Sequence, residues 1–142
     1  MKKKQGFTLV ELMLVITLLA IIFGIAIPTL LSAKKVANEG VALSSLRTLS
    51  HVQLQYRTRY GTYGNVTDLI ASAMLDDSLS TGTKCGYRFV SLGAADAAVW
   101  SVSGQPLTPG VSGDRWFFVD ESGILRFKDG AIATSADPPV DG

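Results

Sequence analysis

The strongest constraint in this chain is an apolar run with an acid near its start. Glu11 is followed by residues 12–33, which carry no charge at all. Residues 7–31 would extend about 37 Å as an α-helix at 1.5 Å per residue. That exceeds the hydrocarbon core of a bilayer, about 30 Å thick. A chain of 142 residues rarely encloses a helix that is apolar on every face, so the run is expected to cross a membrane and not to form a buried core. Hydrophobic residues make up 47% of the chain. Much of that excess lies before residue 32, and the remainder reads as one small globular domain.

A removable secretory signal is the competing reading of such a run. The basic stretch Lys2-Lys3-Lys4 fits it, but the apolar part is longer than a usual signal core. Cleavage sites are also poor. Leu31-Ser32-Ala33 puts a bulky residue first, and Gly24-Ile25-Ala26 lies inside the apolar run with Pro28 just beyond. Basic residues flank both ends, Lys2, Lys3 and Lys4 before and Lys34, Lys35 and Arg47 after, so charge asymmetry alone leaves the orientation open.

Bulk properties exclude more than they assign. A formal net charge of +1 gives no reason to expect nucleic acid as a partner. The one cysteine, Cys85, cannot form an intrachain disulfide. His51 is the sole histidine, so neither a histidine metal cluster nor a charge-relay triad can form.

The stretch Gly6-Phe7-Thr8-Leu9-Val10-Glu11-Leu12-Met13 resembles the prepilin cleavage and methylation signature of type IV pilins and type II secretion pseudopilins. The shared features are a short basic leader ending in glycine, then phenylalanine, then glutamate four residues later. A long apolar helix follows, with Pro28 where family members often have proline. The likeness covers about the first 30 residues. It implies that a membrane-embedded prepilin peptidase cuts between Gly6 and Phe7 and that the new Phe7 amine is N-methylated. Glycine before the cut leaves room for the backbone in a peptidase cleft. Such a cut precedes the apolar run, so the mature protein keeps its membrane helix. It also removes three lysines, leaving 10 basic against 12 acidic side chains and a net charge of −2. The resemblance places the leader in the cytoplasm and the C-terminal domain outside.

Within that frame Glu11 gains a role. A charged side chain at the centre of a membrane helix costs about 2.5–3.5 kcal/mol and usually serves function. Glu11 sits near the cytoplasmic interface, one helical turn from Phe7. Its expected partner is the Phe7 amine, of the same chain or of a neighbour in a filament. A buried carboxylate satisfied only in the correct register would act as an assembly check. Gly24 and Pro28 are expected to weaken or kink the helix near its outer end.

Beyond the run the helical pattern turns amphipathic. Ala42, Leu46, Leu49, Val52, Tyr56 and Tyr60 fall three or four apart, while Ser44, Arg47, His51, Gln55 and Thr58 line another face. One helix is therefore expected over residues 7–60, ended by Gly61-Thr62-Tyr63-Gly64. A short helix over 66–75 follows, with Asn65 or Thr67 as N-cap. Alternation then predicts strands over 86–92, 97–103, 115–120 and 124–128, the last two joined by a turn at 121–123. Residues 104–113 and 133–142 read as a loop and a tail. The expected class is α+β, one long N-terminal helix against a four-stranded antiparallel sheet, which the resemblance makes a pilin fold. The motif Tyr60-Gly61-Thr62-Tyr63 and the segment Gly82-Thr83-Lys84-Cys85-Gly86-Tyr87 also resemble small bacterial pilin-like proteins. The domain plan is a leader (1–6), a transmembrane and filament-core segment (7–33) and a globular domain (34–142). Two C-terminal cysteines that many type IV pilins have are absent.

No nucleophile, base or metal pattern suggests catalysis, so no catalytic residue, cofactor or metal is expected and the chain reads as a non-enzyme. Asp114, Asp120, Glu121, Asp129, Asp137 and Asp141 sit in loops, but their spacing matches no calcium loop. Tyr56, Tyr60, Tyr63, Trp100 and Trp116 read as packing rings. The resemblance implies a structural subunit of a type IV pilus, with a type II secretion pseudopilin and a membrane-anchored binding domain as alternatives. Expected partners are further copies in a homopolymeric filament, the prepilin peptidase and an inner-membrane assembly machine. The expected location is the inner membrane, single-pass, before assembly, and an extracellular or periplasmic filament afterwards.

Overall fold

A computed structural model describes residues 6–75, 79 and 81–140. The lysines of the leader and Asp141 lie outside the described residues. The chain divides between Ala33 and Lys34 into two compact units. Helix α1, Leu9–Tyr60, runs through 52 residues.

In the first unit every described side chain is exposed, including Phe7, Leu14, Ile21 and Leu30. Pro28 lies inside the helix. It has no N–H, so the Gly24 carbonyl lacks its usual donor four residues on. Thr17 and Thr29 turn their hydroxyls back onto the carbonyls of Met13 and Ile25, at 2.7 and 3.0 Å. Hydroxyls that would be unpaired among apolar neighbours are thereby satisfied within the helix.

In the second unit α1 becomes one wall of a core. Ala42, Leu46, Leu49 and Val52 are buried, whereas Ser44, Arg47, His51, Gln55 and Thr58 are exposed, as the spacing predicts. Tyr60 departs from that stripe and is 50% exposed. The helix has turned into its C-terminal turn, where Gly61 adopts a left-handed φ of 77° and donates its N–H to Arg57 O at 2.8 Å. This is the usual glycine stop. Helix α2, Val66–Ala71, is shorter than expected. Asn65 is its N-cap, and the Asp68 carboxylate accepts the Asn65 N–H at 2.8 Å.

The sheet has five antiparallel strands in sequence order, not four: β1 Thr83–Lys84, β2 Tyr87–Ser91, β3 Ser101–Pro106, β4 Arg115–Asp120 and β5 Arg126–Asp129. The additional strand has only two residues, too few to show alternation. It exists because Cys85 and Gly86 form a two-residue turn, with φ of 46° and 77°, that pairs Lys84 with Tyr87. Positive φ at both central residues is the backbone twist a tight hairpin needs.

Strand β3 lies later than alternation predicts. Residues 97–99 are held in a turn because the Asp96 carboxylate accepts the N–H groups of Ala98 and Val99, at 2.7 and 2.8 Å. At its other end β3 takes in Gly104 and Pro106, which read as loop residues in sequence. Gly104 lies against α1, where a Cβ would make ordinary van der Waals contact. A Cβ would sit 3.4 Å from Leu46 Cδ1 on α1 and 3.5 Å from Phe89 Cε1. Leu46, Leu49, Tyr87, Phe89, Trp100, Val102, Phe117 and Val119 form one apolar core. Each such side chain contributes about 1.5–3 kcal/mol on burial.

Candidate functional site

The N-terminus of α1 is built from four residues, Thr8-Leu9-Val10-Glu11. Thr8 precedes the first helical residue and Glu11 is the third. The Glu11 carboxylate accepts the Thr8 backbone N–H at 2.9 Å and the Thr8 hydroxyl at 2.8 Å through the same oxygen, Oε2. Glu11 N–H donates in return to Thr8 Oγ1 at 3.2 Å. This is a capping box: two N–H groups that a helix end leaves orphaned are satisfied reciprocally. The carboxylate also lies at the positive end of the helix dipole.

Glu11 was expected to meet the Phe7 amine. In the uncleaved chain that nitrogen is still a peptide nitrogen, bonded to Gly6, and Thr8 is the residue on Glu11. Phe7 is 80% exposed, and a Cβ at Gly6 would meet nothing within 4 Å. Among the described residues, nothing packs against either side of that peptide. Thr8 was not singled out in sequence, although the spacing Thr8-x-x-Glu11 is the ordinary signature of a helix start.

A second carboxylate matters to the globular unit and was also missed. Glu39 on α1 is 5% exposed. Its Oε1 accepts the N–H groups of Asp114 and Arg115, at 2.9 and 3.3 Å, and its Oε2 accepts Arg115 Nε at 2.7 Å. Lys35, one turn earlier, pairs with Asp114 at 3.2 Å. Tyr87 closes the group by donating its hydroxyl to Arg115 O at 2.8 Å. Burial first, and then the Glu39 charge, push the Tyr87 phenol up, so it stays a neutral donor. These contacts fasten the start of β4 to α1. Local sequence could not show them, because Tyr87 lies 28 positions from Arg115 and the Lys35 and Glu39 partners lie more than 70 positions away.

Of the acids expected in loops, Asp120 and Asp129 instead end strands β4 and β5, and several have local work. Asp114 faces Lys35, and Asp120 accepts from the Ser122 hydroxyl and N–H. Asp137 accepts the Thr134 N–H at 2.7 Å and faces Lys128 at 3.4 Å. Among the described residues no three His, Cys, Asp or Glu side chains gather as a metal ligand set. His51 and Cys85 are exposed. Tyr56 and Tyr60 pack with ring centroids 4.5 Å apart, and Tyr63 and Trp100 with centroids 6.2 Å apart.

Comparison with known proteins bears on the same N-terminal segment. Residues 1–27 match the family model described as the prokaryotic N-terminal methylation motif. The chain is 28% identical over 140 residues to the type IV wide pilus major component PilA4 of Thermus thermophilus, covering 97% of each chain. It is 29% identical over 126 residues to the type IV major pilin protein PilA of Myxococcus xanthus, covering 86% of this chain and 54% of that one. The chain thus spans about half the length of the Myxococcus relative. The motif and these relatives support the type IV pilin family.

Proposed function

We propose that this chain is a structural subunit of a type IV pilus, held in a membrane by residues 7–31 and then polymerised through the same helix. The likeness to a pilus major component along 97% of both chains carries the reading. The exposed apolar first half of α1 supports it, because such a surface needs lipid or other copies of itself as cover. Prepilin peptidase cuts the open Gly6–Phe7 peptide in this scheme, and the new Phe7 amine is N-methylated. The Glu11 carboxylate, seated at the helix start, then meets a Phe7 cation of its own chain or of a neighbour. Pairing offsets the cost of taking both charges out of water, and a misplaced subunit would leave both unpaired.

The chain sits in the inner membrane before assembly and in an extracellular filament afterwards, and its role is structural, not enzymatic. Both relatives are named as pilus components, which does not favour the secretion pseudopilin. Electron microscopy of sheared surface material, with antibody to this chain, tests the reading. Labelled fibres that vanish on deletion of the chain are expected. Deletion that blocks exoprotein release while no surface fibre contains the chain would overturn it.

A further inference from the structure

We propose that residues 137–140 form an autoinhibitory cap, closing the outer edge of β5 so that a strand of a second copy cannot extend the sheet. The inference lies wholly within the globular unit.

The sheet runs β1-β2-β3-β4-β5, so it ends on two edges. At one, β1 has only two residues, too few to template a further strand. At the other, β5 pairs with β4 along all four of its residues. Its far side would offer backbone donors and acceptors to any chain alongside. The tail takes those groups. Phe127 N–H donates to Pro138 O at 3.2 Å, and Val140 N–H donates to Leu125 O at 2.8 Å. Arg126 and Pro139 face each other in an antiparallel bridge.

The two prolines make this segment a stop for the sheet. In an antiparallel ladder residues 127 and 138 would exchange two bonds. Pro138 has no N–H, so it gives its carbonyl and cannot return the second bond. Pro139 lies at the position whose backbone N and O face away from β5, so the outer side of the tail lacks a donor there. Both prolines are exposed; they shape the backbone pattern and add nothing to the core. The cap thus covers one edge without building another.

Side chains hold the cap in place. Arg126 Nη1 donates to Asp137 O at 2.8 Å, and the Asp137 carboxylate faces Lys128 at 3.4 Å. Val140 packs against the apolar core. The same two cations form a second barrier. When two bare β5 edges pair antiparallel, Phe127 and the residues two away from it bond across the join. Arg126 and Lys128 of one copy then face those of the other, and like charges placed opposite are unfavourable. Asp137 supplies the acid that this edge accepts.

The test uses the chain with Cys85→Ser and a spin label on Asp129→Cys, in enough detergent that most micelles hold one chain. Pulsed dipolar spectroscopy compares three forms: with its tail, ending at Ala136, and ending at Ala136 with Lys128→Glu. The last lacks the cap and places an acid opposite Arg126 of the other copy. In a pair centred on Phe127 the two labelled positions lie four residues apart along the strands, about 14 Å. That distance is expected in the last form, several-fold less populated in the form ending at Ala136 alone, and absent from the chain with its tail. No short distance in the form lacking both barriers would overturn the inference. The same short distance in the chain with its tail would overturn it too. Trp100 and Trp116 emission shows whether the shortened forms are folded. If they are not, the full chain with Lys128→Glu, Thr134→Ala and Asp137→Ala, whose tail is unclasped, is read in the same way. A short distance there supports the cap and its absence overturns it.

Discussion

The Glu11 carboxylate holds both the backbone N–H and the hydroxyl of Thr8, at 2.9 and 2.8 Å, through one oxygen. The acid that invites an assembly role is therefore already engaged within its own chain, as half of a capping box. One oxygen, Oε2, carries both Thr8 bonds, and among the described residues the second takes no hydrogen bond.

Thr8 and Glu11 should separate by mutation. Thr8→Ala removes the cap hydroxyl and destabilises the helix start by about 1 kcal/mol. Faster amide hydrogen exchange at residues 9–12 in detergent micelles is the expected signature. Thr8→Ser should restore protection.

Glu11→Gln divides the two roles of the acid. Glutamine can still close a capping box, but it carries no charge for the Phe7 amine. Helix protection near that of the parent chain, normal removal of residues 1–6 and a large loss of filament are expected from pulse labelling and shear assays. Parent-like filament yield would show that capping, not charge, is what Glu11 supplies.

Glu39 should dominate the stability of the globular unit out of proportion to its size. Glu39→Ala leaves Arg115 Nε and two backbone N–H groups without their acceptor. Removing one partner of a buried pair costs roughly 3–5 kcal/mol. Arg115 is 35% exposed at its side chain, so solvent screens part of this and about 2–3 kcal/mol is expected. Denaturant unfolding of the full chain in micelles, followed by Trp100 and Trp116 fluorescence, measures it. Glu39→Gln should cost less, because its oxygen can still take the backbone donors.

The carboxyl-terminal tail carries an acid-sensitive clasp. Thr134, through its backbone N–H first and its hydroxyl second, holds the Asp137 carboxyl below its ordinary value of 3.8, and Lys128 adds to this. A depressed folded-state pKa stabilises the fold above the unfolded value, and that share is lost as pH falls through the folded one. Asp137→Asn should therefore be less stable than the parent near neutrality and converge on it below about pH 4. The tail covers β5, since Phe127 N–H donates to Pro138 O at 3.2 Å and Val140 N–H to Leu125 O at 2.8 Å, so exchange at Phe127 and Val140 should report the loss.

Gly113 tests the packing around Tyr87. A Cβ there would sit 2.0 Å from the Tyr87 hydroxyl oxygen. Gly113→Ala must push Tyr87 off Arg115 O or shift the loop, with a cost of about 1–3 kcal/mol. The same methyl would lie 2.7 and 2.8 Å from Tyr87 Cζ and Cε2, so Tyr87→Phe, which keeps the ring, should recover little of it.

The long helix, the buried stripe Ala42–Leu46–Leu49–Val52 and strand β4 were legible because each is written in local periodicity. The fifth strand was not, since a two-residue strand has no period, and its turn residues Cys85 and Gly86 are not a common turn pair. Strand β3 was misplaced because Gly104 looks like punctuation, whereas its pairing with Phe89 and Phe117 on either side keeps it in the strand. At the N-terminus the residues of the processing signature could be picked out one by one. The Thr8–Glu11 pairing was equally local, yet the acid drew attention to the Phe7 amine, a partner that the proposed cleavage would have to create. Glu39, Lys35 and Asp114 had no local signal, because charge pairs across more than 70 positions become visible only in three dimensions.

The most direct measurement is the amino-terminal residue and intact mass of this chain recovered from native filaments. The account predicts that it begins at Phe7, with one methyl group on its amine, and ends unchanged. Filament-derived chain that still begins at Met1, or that starts beyond Ala26 without its apolar segment, would contradict it.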